Sequence, residues 1–384
     1  MPWKDSSVFR QRCELVEAMM AGVEPVTAIC RRWGVSRTIA YRVLARFRAD
    51  GRKGLRNRSH APKRAFARQA PRWRKPVLEL RRTYPSWGAR KLRWWLRQHF
   101  PRQRGPAERT VQRWLKQSGF VRQSHSRRRK LRTSRRLSPT IARRSNDVWT
   151  IDLKGWFRSR DGAKIEPLTV RDAWSHFLLW TKSLAPKNDA NLRRICRELF
   201  RRNGKPRVMR CDRGTPFFGD GPYGFTRLSL WWWRLGIRVE FVRRGSINNN
   251  AHEQMHGVMK NELVIADTAR AQARALQRWT KCYNCERPNE AIGLRTPASV
   301  YHARPRPLPT LYPPRYPRGW LARVVQENGT ITLRGWHGSI GRAFGGLPVG
   351  LAPAGRRSYR VYFGSLYLGR LYLDGNRKLV LPAF

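Results

Sequence analysis

A short polar stretch in the second half of the chain has the residue types and spacing of a catalytic element. It runs from Asn248 to His256 and reads Asn-Asn-Asn-Ala-His-Glu-Gln-Met-His. The asparagines suit a helix N-cap, and an apolar stripe follows at helical spacing: Met255, Val258, Met259 and Leu263. Glu253 therefore lies in the first turn of a predicted helix. A glutamate placed there serves either a metal-binding carboxylate cluster that acts on nucleic acid or the His-Glu-x-x-His zinc site of a metalloprotease.

Two aspartates associated with predicted strands favour the carboxylate cluster. Asp152 lies inside the apolar run Trp149–Leu153, where a buried charge is costly unless it is paired or binds a metal ion. Asp212 stands just past the strand Arg207–Arg210, at its carboxyl end. Together with Glu253 they are the candidate catalytic and metal-binding residues.

The segment that begins at Asp147 supplies the elements that must position these acids. The strands are predicted at Val148–Phe157, Ile165–Val170, Ser175–Thr181, Arg207–Arg210 and Arg238–Val242. The helices are predicted at Asn188–Asn203, near Leu228–Leu235, and at the stretch that carries Glu253. This order, β-β-β-α-β-α-β-α, is that of a ribonuclease-H-like core, in which the three acids converge at one sheet edge. Three carboxylates so close stay ionised only with divalent cations between them, as in two-metal phosphoryl transfer.

The charge of the chain indicates a polyanionic partner. Its 384 residues carry 81 Lys and Arg against 24 Asp and Glu, a formal charge of +57, and the pI is near 11.8. Residues 1–146 hold 40 of the basic residues and 7 of the acidic ones, so both halves are strongly basic. Nucleic acid is the expected partner, and the helix-turn-helix patterns described next favour double-stranded DNA.

Two helical modules precede the predicted core. The pattern Val8–Met20, Val26–Trp33 and Arg37–Phe47, with Ser36 as N-cap, predicts a helix-turn-helix unit. Ile39, Val43 and Leu44 are predicted to face its core, and the exposed DNA-reading face comprises Arg37, Thr38, Tyr41 and Arg42. A second, similar pair of helices, Trp87–Phe100 and Glu108–Phe120, leaves Arg109, Thr110 and Arg113 exposed.

The remaining segments are basic or rich in proline. The arm after the second module contains the candidate DNA-binding residues Arg127, Arg128, Arg129 and Lys130, and Lys154 and Lys260 are further candidates near the acids. A proline-rich stretch leads to short predicted strands at Leu321–Val325, Thr330–Leu333, Tyr359–Phe363, Leu366–Tyr372 and Lys378–Leu381. They predict a small barrel of SH3-like size, which serves DNA contact or dimerisation.

The predicted fold class is therefore multi-domain, with all-α helix-turn-helix modules, an α/β ribonuclease-H-like core and a small all-β SH3-like barrel. The predicted limits are 1–60 and 73–121 for the helical modules, 122–145 for the basic linker, 146–303 for the core, 304–318 for the proline-rich linker and 319–384 for the barrel.

The motifs around the acids resemble those of bacterial insertion-sequence transposases of the Asp-Asp-Glu type, whose core is similar to that of retroviral integrases. The stretches that carry the resemblance are Trp149–Phe157, Pro167–Asp172, Asp212–Phe217, His252–His256 and Tyr283–Ala291, and it covers nearly the whole chain. It implies that Asp152, Asp212 and Glu253 bind two Mg²⁺ (or Mn²⁺) ions that activate water or a DNA 3′-hydroxyl and stabilise the leaving oxygen. It further implies strand cleavage at element ends, strand transfer into target DNA, and a homo-oligomer on DNA.

Two positions depart from the family pattern. Arg213 stands where family members usually have Asn, and Asn249-Asn250 stands where they have Asn-Gly. These changes leave open a transposase-derived DNA-binding regulator that cleaves poorly. The zinc protease is the remote alternative, because the chain offers no recognisable third ligand for it.

Cysteine spacing and hydropathy indicate the cellular compartment of the protein. The six cysteines form no disulfide framework, and Cys282 and Cys285 are expected to pack rather than bind zinc. No apolar run reaches the length of a membrane span, and no signal peptide is evident. A cytoplasmic, nucleoid-associated protein is expected.

Overall fold

The computed structural model describes residues 7–57, 71–121, 140–153, 155–242, 250–333, 335–373 and 379–380. The chain divides into two compact units, Met1–Ala70 and Pro71–Phe384, and each is described by itself. None of the described helices combines the length and apolar character needed to cross a membrane.

The first unit is a bundle of three helices, α1 (Val8–Ala21), α2 (Val26–Trp33) and α3 (Arg37–Asp50). Gly34 ends α2 with φ +62°, and the Ser36 hydroxyl accepts a hydrogen bond from Ile39 N, so the predicted turn and N-cap are confirmed. Val43 and Leu44 are buried as predicted. The prediction for Ile39 is wrong: it is 39% exposed, and Ala40 packs in the core instead.

The second unit begins with three helices that share their own core. They are α4 (Arg74–Thr83), α5 (Ala89–His99) and α6 (Glu108–Gln117). Leu92 and Leu96 of α5 and Val111 and Leu115 of α6 lie within this core. Helix α4 was not predicted, and it adds Val77 and Leu80 to the same cluster.

A five-stranded sheet of the described residues forms the centre of the second unit. Its strands are β1 (Val148–Leu153), β4 (Pro167–Asp172), β5 (Leu178–Ser183), β6 (Val208–Asp212) and β7 (Arg238–Val242), and the hairpin β2 (Phe157–Arg158) and β3 (Lys164–Ile165) follows β1. The order is β5-β4-β1-β6-β7. Strands β5, β4 and β1 pair antiparallel, whereas β1, β6 and β7 pair parallel. This is the predicted ribonuclease-H-like topology.

Helices cover the two faces of this sheet. They are α7 (Asp189–Asn203), α8 (Arg227–Arg234), α9 (Asn250–Glu262), α10 (Ala269–Cys285) and the short α11 (Pro297–Val300). Apolar side chains of α7 and α8, with Trp231 and Trp232 among them, pack against Trp149 and Met209 in the main core. Met255 and Met259 of α9 pack on α10 in a separate cluster that includes Ile165.

The carboxy-terminal region is all-β. Its strands are β8 (Leu321–Val324), β9 (Thr330–Leu333), β10 (Trp336–Ser339), β11 (Pro348–Pro353), β12 (Ser358–Phe363) and β13 (Leu366–Tyr372). They form a four-stranded sheet, β13-β12-β11-β8, and a separate pair, β10-β9. The described strands do not close into one barrel, so the SH3-like barrel stays a prediction. Their core includes Phe225 and Leu230, so this sheet packs directly on the α8 region.

Candidate active site

The two candidate aspartates lie on adjacent parallel strands. Strand β1 pairs with β6 in the register Val148 with Val208 and Thr150 with Arg210. Asp152 and Asp212 each follow this paired segment by two residues, near the carboxyl ends of β1 and β6. Burial, and then the charges of Asp212 and Asp152, raise the pKa of the Cys211 thiol, so both carboxylates lie in the surroundings of this residue. The two aspartates are thus at the same end of adjacent parallel strands, and their joint role as metal ligands stays a prediction.

The Asp212 carboxylate folds against the main chain of Gly214. A Cβ atom on Gly214 would lie 3.1 and 3.2 Å from the two carboxylate oxygens. The neighbouring Arg213 extends over the Phe218 ring, with its guanidinium carbon 5.7 Å from the ring centroid. A glycine at 214 thus leaves the room that the present position of the Asp212 carboxylate requires.

Replacing Gly214 by alanine should lower catalysis without unfolding the protein. The added methyl group must push the Asp212 carboxylate by a few tenths of an ångström, and small misplacements of reacting groups cost up to about 100-fold in rate. We expect DNA joining to fall by about tenfold, with an unchanged circular dichroism spectrum. Gly257→Ala is the matched control, because a Cβ there meets no atom within 4 Å. Equal joining rates for the two variants would contradict this role of Gly214.

Both histidines of the His-Glu-x-x-His motif bind one threonine on β4. The Nε2 atoms of His252 and His256 each lie 3.0 Å from Thr169 Oγ1, and this hydroxyl donates to the main-chain oxygen of Asp152 at 3.1 Å. Because a carbonyl oxygen only accepts and a hydroxyl has one proton, both rings must donate from Nε2. Helix α9 is thus bonded, through Thr169, to the residue that carries the first carboxylate.

Burial keeps one of these rings neutral. His252 is 6% exposed, and burial lowers its pKa well below the usual range, with His256 and Arg171 acting in the same direction. A neutral ring has one N–H, which the bond to Thr169 uses. The Nε2 atoms that a zinc protease would direct at a metal are thus engaged with Thr169, which disfavours that alternative.

The third candidate carboxylate, Glu253, lies on helix α9 and not on the central sheet. Glu253 is exposed on the first turn of α9, one turn before His256, whose Nδ1 lies 3.8 Å from Asp152 Oδ2. Among the residues that the structure describes, no group of three His, Cys, Asp or Glu side chains is arranged to hold a metal ion. The oxygen donors suit Mg²⁺ chemically, and the assignment of Glu253 as a ligand stays a prediction.

Replacing Thr169 by valine should destabilise the site while preserving its shape. The change removes the hydroxyl and leaves two ring N–H groups and the Asp152 carbonyl without this partner, and each unsatisfied buried group costs about 1–3 kcal/mol. We expect the free energy of unfolding to fall by about 3 kcal/mol in urea titrations. Thr169→Ser keeps the hydroxyl and should stay within about 1 kcal/mol of the wild type. A valine variant as stable as the serine variant would refute this network.

The predicted DNA-contacting side chains are distributed over both units. Arg37, Thr38, Tyr41 and Arg42 are all exposed on α3. Arg109 and Arg113 are exposed on α6, Thr110 is half-buried, and Lys260 is exposed on α9. Arg127, Arg128, Arg129, Lys130 and Lys154 lie outside the described residues.

Two polar clusters beside the site were not predicted. Arg210 on β6 forms an ion pair with Glu240 on β7 at 2.9 Å and donates to Thr140 O at 2.7 Å. Arg287, after α10, pairs with Glu262 at the end of α9 at 2.6 Å. The sequence signal for the first cluster is Arg210, an arginine within an otherwise apolar strand. For the second cluster it is the helical spacing of Leu276, Trp279 and Tyr283, which indicates α10, the helix that precedes Arg287.

Three segments match known protein families. Residues 11–63 match a helix-turn-helix domain, and residues 39–115 match a homeodomain-like domain. Residues 321–377 match the C-terminal domain of IS481 family transposases. This match confirms the resemblance to insertion-sequence transposases. The predicted helix-turn-helix character of the first module is confirmed as well.

Solved structures with similarity to the chain include retroviral integrases. The HTLV-2 integrase catalytic core domain in complex with magnesium is 14% identical, and the match covers 42% of this chain and all of that one, with a TM-score of 0.33. A simian T-cell lymphotropic virus intasome, bound to PP2A regulatory subunit B56 gamma, is 11% identical over 77% of this chain and 95% of that one, with a TM-score of 0.37. The BIV integrase catalytic core domain is 16% identical over 41% and 94%, with a TM-score of 0.30.

Proposed function

We propose that this chain is a DNA transposase that cleaves strands at element ends and joins them to target DNA. The observation that carries the proposal is the parallel pairing of β1 with β6 in a ribonuclease-H-like sheet, because Asp152 and Asp212 lie near the carboxyl ends of these two adjacent strands. The C-terminal match to IS481 family transposases and the charge of +57 support DNA as the substrate.

We assign Asp152, Asp212 and Glu253 as the residues that would hold two Mg²⁺ ions. Bound Mg²⁺ would activate the attacking water or 3′-hydroxyl and neutralise charge on the leaving oxygen. The chain itself fixes the two aspartates on rigid parallel strands, and Thr169 bonds the Glu253 helix to the Asp152 main chain through His252 and His256. Lys260 lies two turns beyond Glu253 on α9, where its ammonium group would bind a DNA phosphate.

The helical modules and the carboxy-terminal sheet supply the remaining DNA contacts in this proposal. Arg37, Tyr41 and Arg42 of α3 would read element ends in the major groove, and Arg109 and Arg113 would contact a neighbouring segment. We propose that residues 319–384 complete an SH3-like barrel whose arginines contact phosphates. Because transposition joins two DNA ends, we expect at least a dimer on DNA.

A strand-transfer assay tests this function. Purified full-length protein is incubated with labelled duplexes from the flanking element ends and with supercoiled target DNA, in Mg²⁺ or in EDTA. We expect joined products in Mg²⁺ and none in EDTA. The absence of Mg²⁺-dependent products from every candidate end would reject the enzyme.

The exposed position of Glu253 favours one alternative, a transposase-derived regulator that binds DNA and cleaves poorly. Such a protein would protect element ends from nuclease digestion and repress a linked reporter without joining DNA. Footprinting on the same duplexes therefore separates the two functions.

A further inference from the structure

An exposed tryptophan lies close to two cations just after β1. Trp156 is 58% exposed. The guanidinium carbon of Arg158 lies 5.7 Å from its ring centroid, and the Lys164 ammonium nitrogen lies 5.3 Å from it. An accessible aromatic ring with adjacent positive charge is the combination that binds single-stranded nucleic acid, through base stacking and phosphate contacts.

The two cations face each other across the β2–β3 hairpin, where Arg158 also donates a hydrogen bond to the main-chain oxygen of Gly162 at 2.6 Å. Arg158 on β2 and Lys164 on β3 are direct partners in the antiparallel register, and like charges directly opposite each other destabilise a hairpin. Among the described residues, neither forms an ion pair with a carboxylate.

Two acids of the hairpin region, Asp161 and Asp267, interact with other groups. Asp161 accepts hydrogen bonds from Ser159 and from the main chain of Ala163 and Ala269, and Asp267 pairs with Arg160 at 3.1 Å. A bound phosphate would relieve the repulsion between Arg158 and Lys164.

The hairpin is anchored to the segment that follows α9. Its turn donates main-chain hydrogen bonds from Arg160 to Ala266 at 3.0 Å and from Asp161 to Asp267 at 2.9 Å, and Ile165 is buried against α9 and α10. Trp156 follows Asp152 by four residues, which span at most about 14 Å of extended chain. With a DNA rise of about 3.4 Å per nucleotide, the ring lies within roughly four nucleotides of a phosphate at Asp152.

We propose that Trp156, Arg158 and Lys164 form a site for an unpaired DNA nucleotide beside the catalytic carboxylates. The base stacks on Trp156, and a phosphate lies between the two cations. The inference rests on the proposed function for its substrate. In it, the hairpin binds the DNA strand that has separated from the duplex near the reacting phosphate.

Photocrosslinking and affinity measurements with full-length protein in EDTA test the site without any joining reaction. The probes are a thymidine oligonucleotide that carries one 5-iododeoxyuridine and the same oligonucleotide annealed to its complement. The crosslink should map to the tryptic peptide Gly155–Arg158. Trp156→Leu should remove that crosslink and weaken single-strand binding about tenfold or more, with a clearly smaller effect on the duplex.

Two sets of variants complete the test. Tyr312→Leu removes another exposed aromatic ring, 78% accessible, and should change neither measurement. Arg158→Gln and Lys164→Gln should weaken binding of both probes and lower the single-strand salt dependence by roughly 0.7 per cation. A crosslink elsewhere, or equal losses of single-strand and duplex affinity in Trp156→Leu, would overturn the site. A chain that fails to join DNA but gives the expected crosslink would refute the transposase function alone.

Discussion

Replacing Asp152 by asparagine should abolish DNA joining and leave DNA affinity nearly unchanged. The amide has almost the same shape as the carboxylate, and the side chain is 31% exposed at the strand end, so the fold tolerates the change. What is lost is the negative charge that, in the proposed function, would hold cations at the reacting phosphate. Because removing one electrostatic group from a catalytic site costs about 100- to 1000-fold, joining should fall by roughly 1000-fold.

The same substitution at other acids shows whether the loss belongs to the catalytic site. Asp212→Asn should match Asp152→Asn, because the two residues lie near the carboxyl ends of the adjacent parallel strands β1 and β6. Asp172→Asn is the control within the same sheet. Its carboxylate is buried and accepts bonds from Ser175 N, Ser175 Oγ and Asn146 N, so the amide should lower stability and spare the joining rate of the folded protein.

Filter binding and single-turnover joining on the same DNA separate the outcomes. An Asp152→Asn protein that still joins DNA, or that loses affinity as much as rate, would contradict the catalytic role. Glu253→Gln then decides the third position. A loss equal to that of Asp152→Asn makes Glu253 the third carboxylate, whereas an unchanged rate assigns the chemistry to the two aspartates.

Local sequence patterns were sufficient to predict the elements that carry the candidate site. Asp152 was identifiable because a charged residue interrupts an apolar strand, and Ser36 because a hydroxyl precedes a helical apolar pattern. Strand order followed from the succession of elements, since few topologies accommodate that succession.

Features that depend on distant partners were not predictable. The helices that pack against α3 determine which of its residues face the core, so Ile39 is exposed and Ala40 is buried. The sequence predicts Glu240 to be an edge-strand residue that faces solvent, yet it forms ion pairs with Arg210 and Arg238. Strand β10 contains a glycine, and β11 contains a glycine and two prolines, which are residues with weak strand propensity. Pairing with neighbouring strands over the shared core stabilises them.

Replacing Arg287 by methionine should strongly destabilise the protein. The Arg287 guanidinium is 9% exposed and binds Glu262, which is 14% exposed, at 2.6 Å, and it donates to Ser86 Oγ at 3.0 Å. Removing one partner of a buried ion pair leaves the other charge uncompensated, at a cost of about 3–5 kcal/mol. Glu262 also lies at the end of α9, where the helix dipole disfavours a negative charge. We expect the free energy of unfolding to fall by about 3 kcal/mol in urea titrations.

A second substitution separates the contribution of charge to the free energy of unfolding from the contribution of packing. If the loss in Arg287→Met comes from the stranded Glu262 charge, then adding Glu262→Met should restore most of it, because apolar replacements of buried pairs are often neutral. Arg160→Met serves as the comparison, since Arg160 and its partner Asp267 are 69% and 79% exposed and such pairs contribute at most about 1 kcal/mol. A double variant no more stable than Arg287→Met would show that packing, and not charge, sets the cost.

The same variant should loosen α9 selectively. Glu262 accepts hydrogen bonds from Trp279 and from Ser86, which precedes α5, so this one carboxylate ties the end of the Glu253 helix to α10 and to the α4–α6 helices. Hydrogen exchange in Arg287→Met should therefore accelerate in α9 and around Ser86 while β1 and β6 stay protected. Because Glu253 lies at the opposite end of the helix, joining should fall less than in Asp152→Asn. A uniform acceleration across the sheet would mean that the pair supports the whole unit and not the orientation of α9.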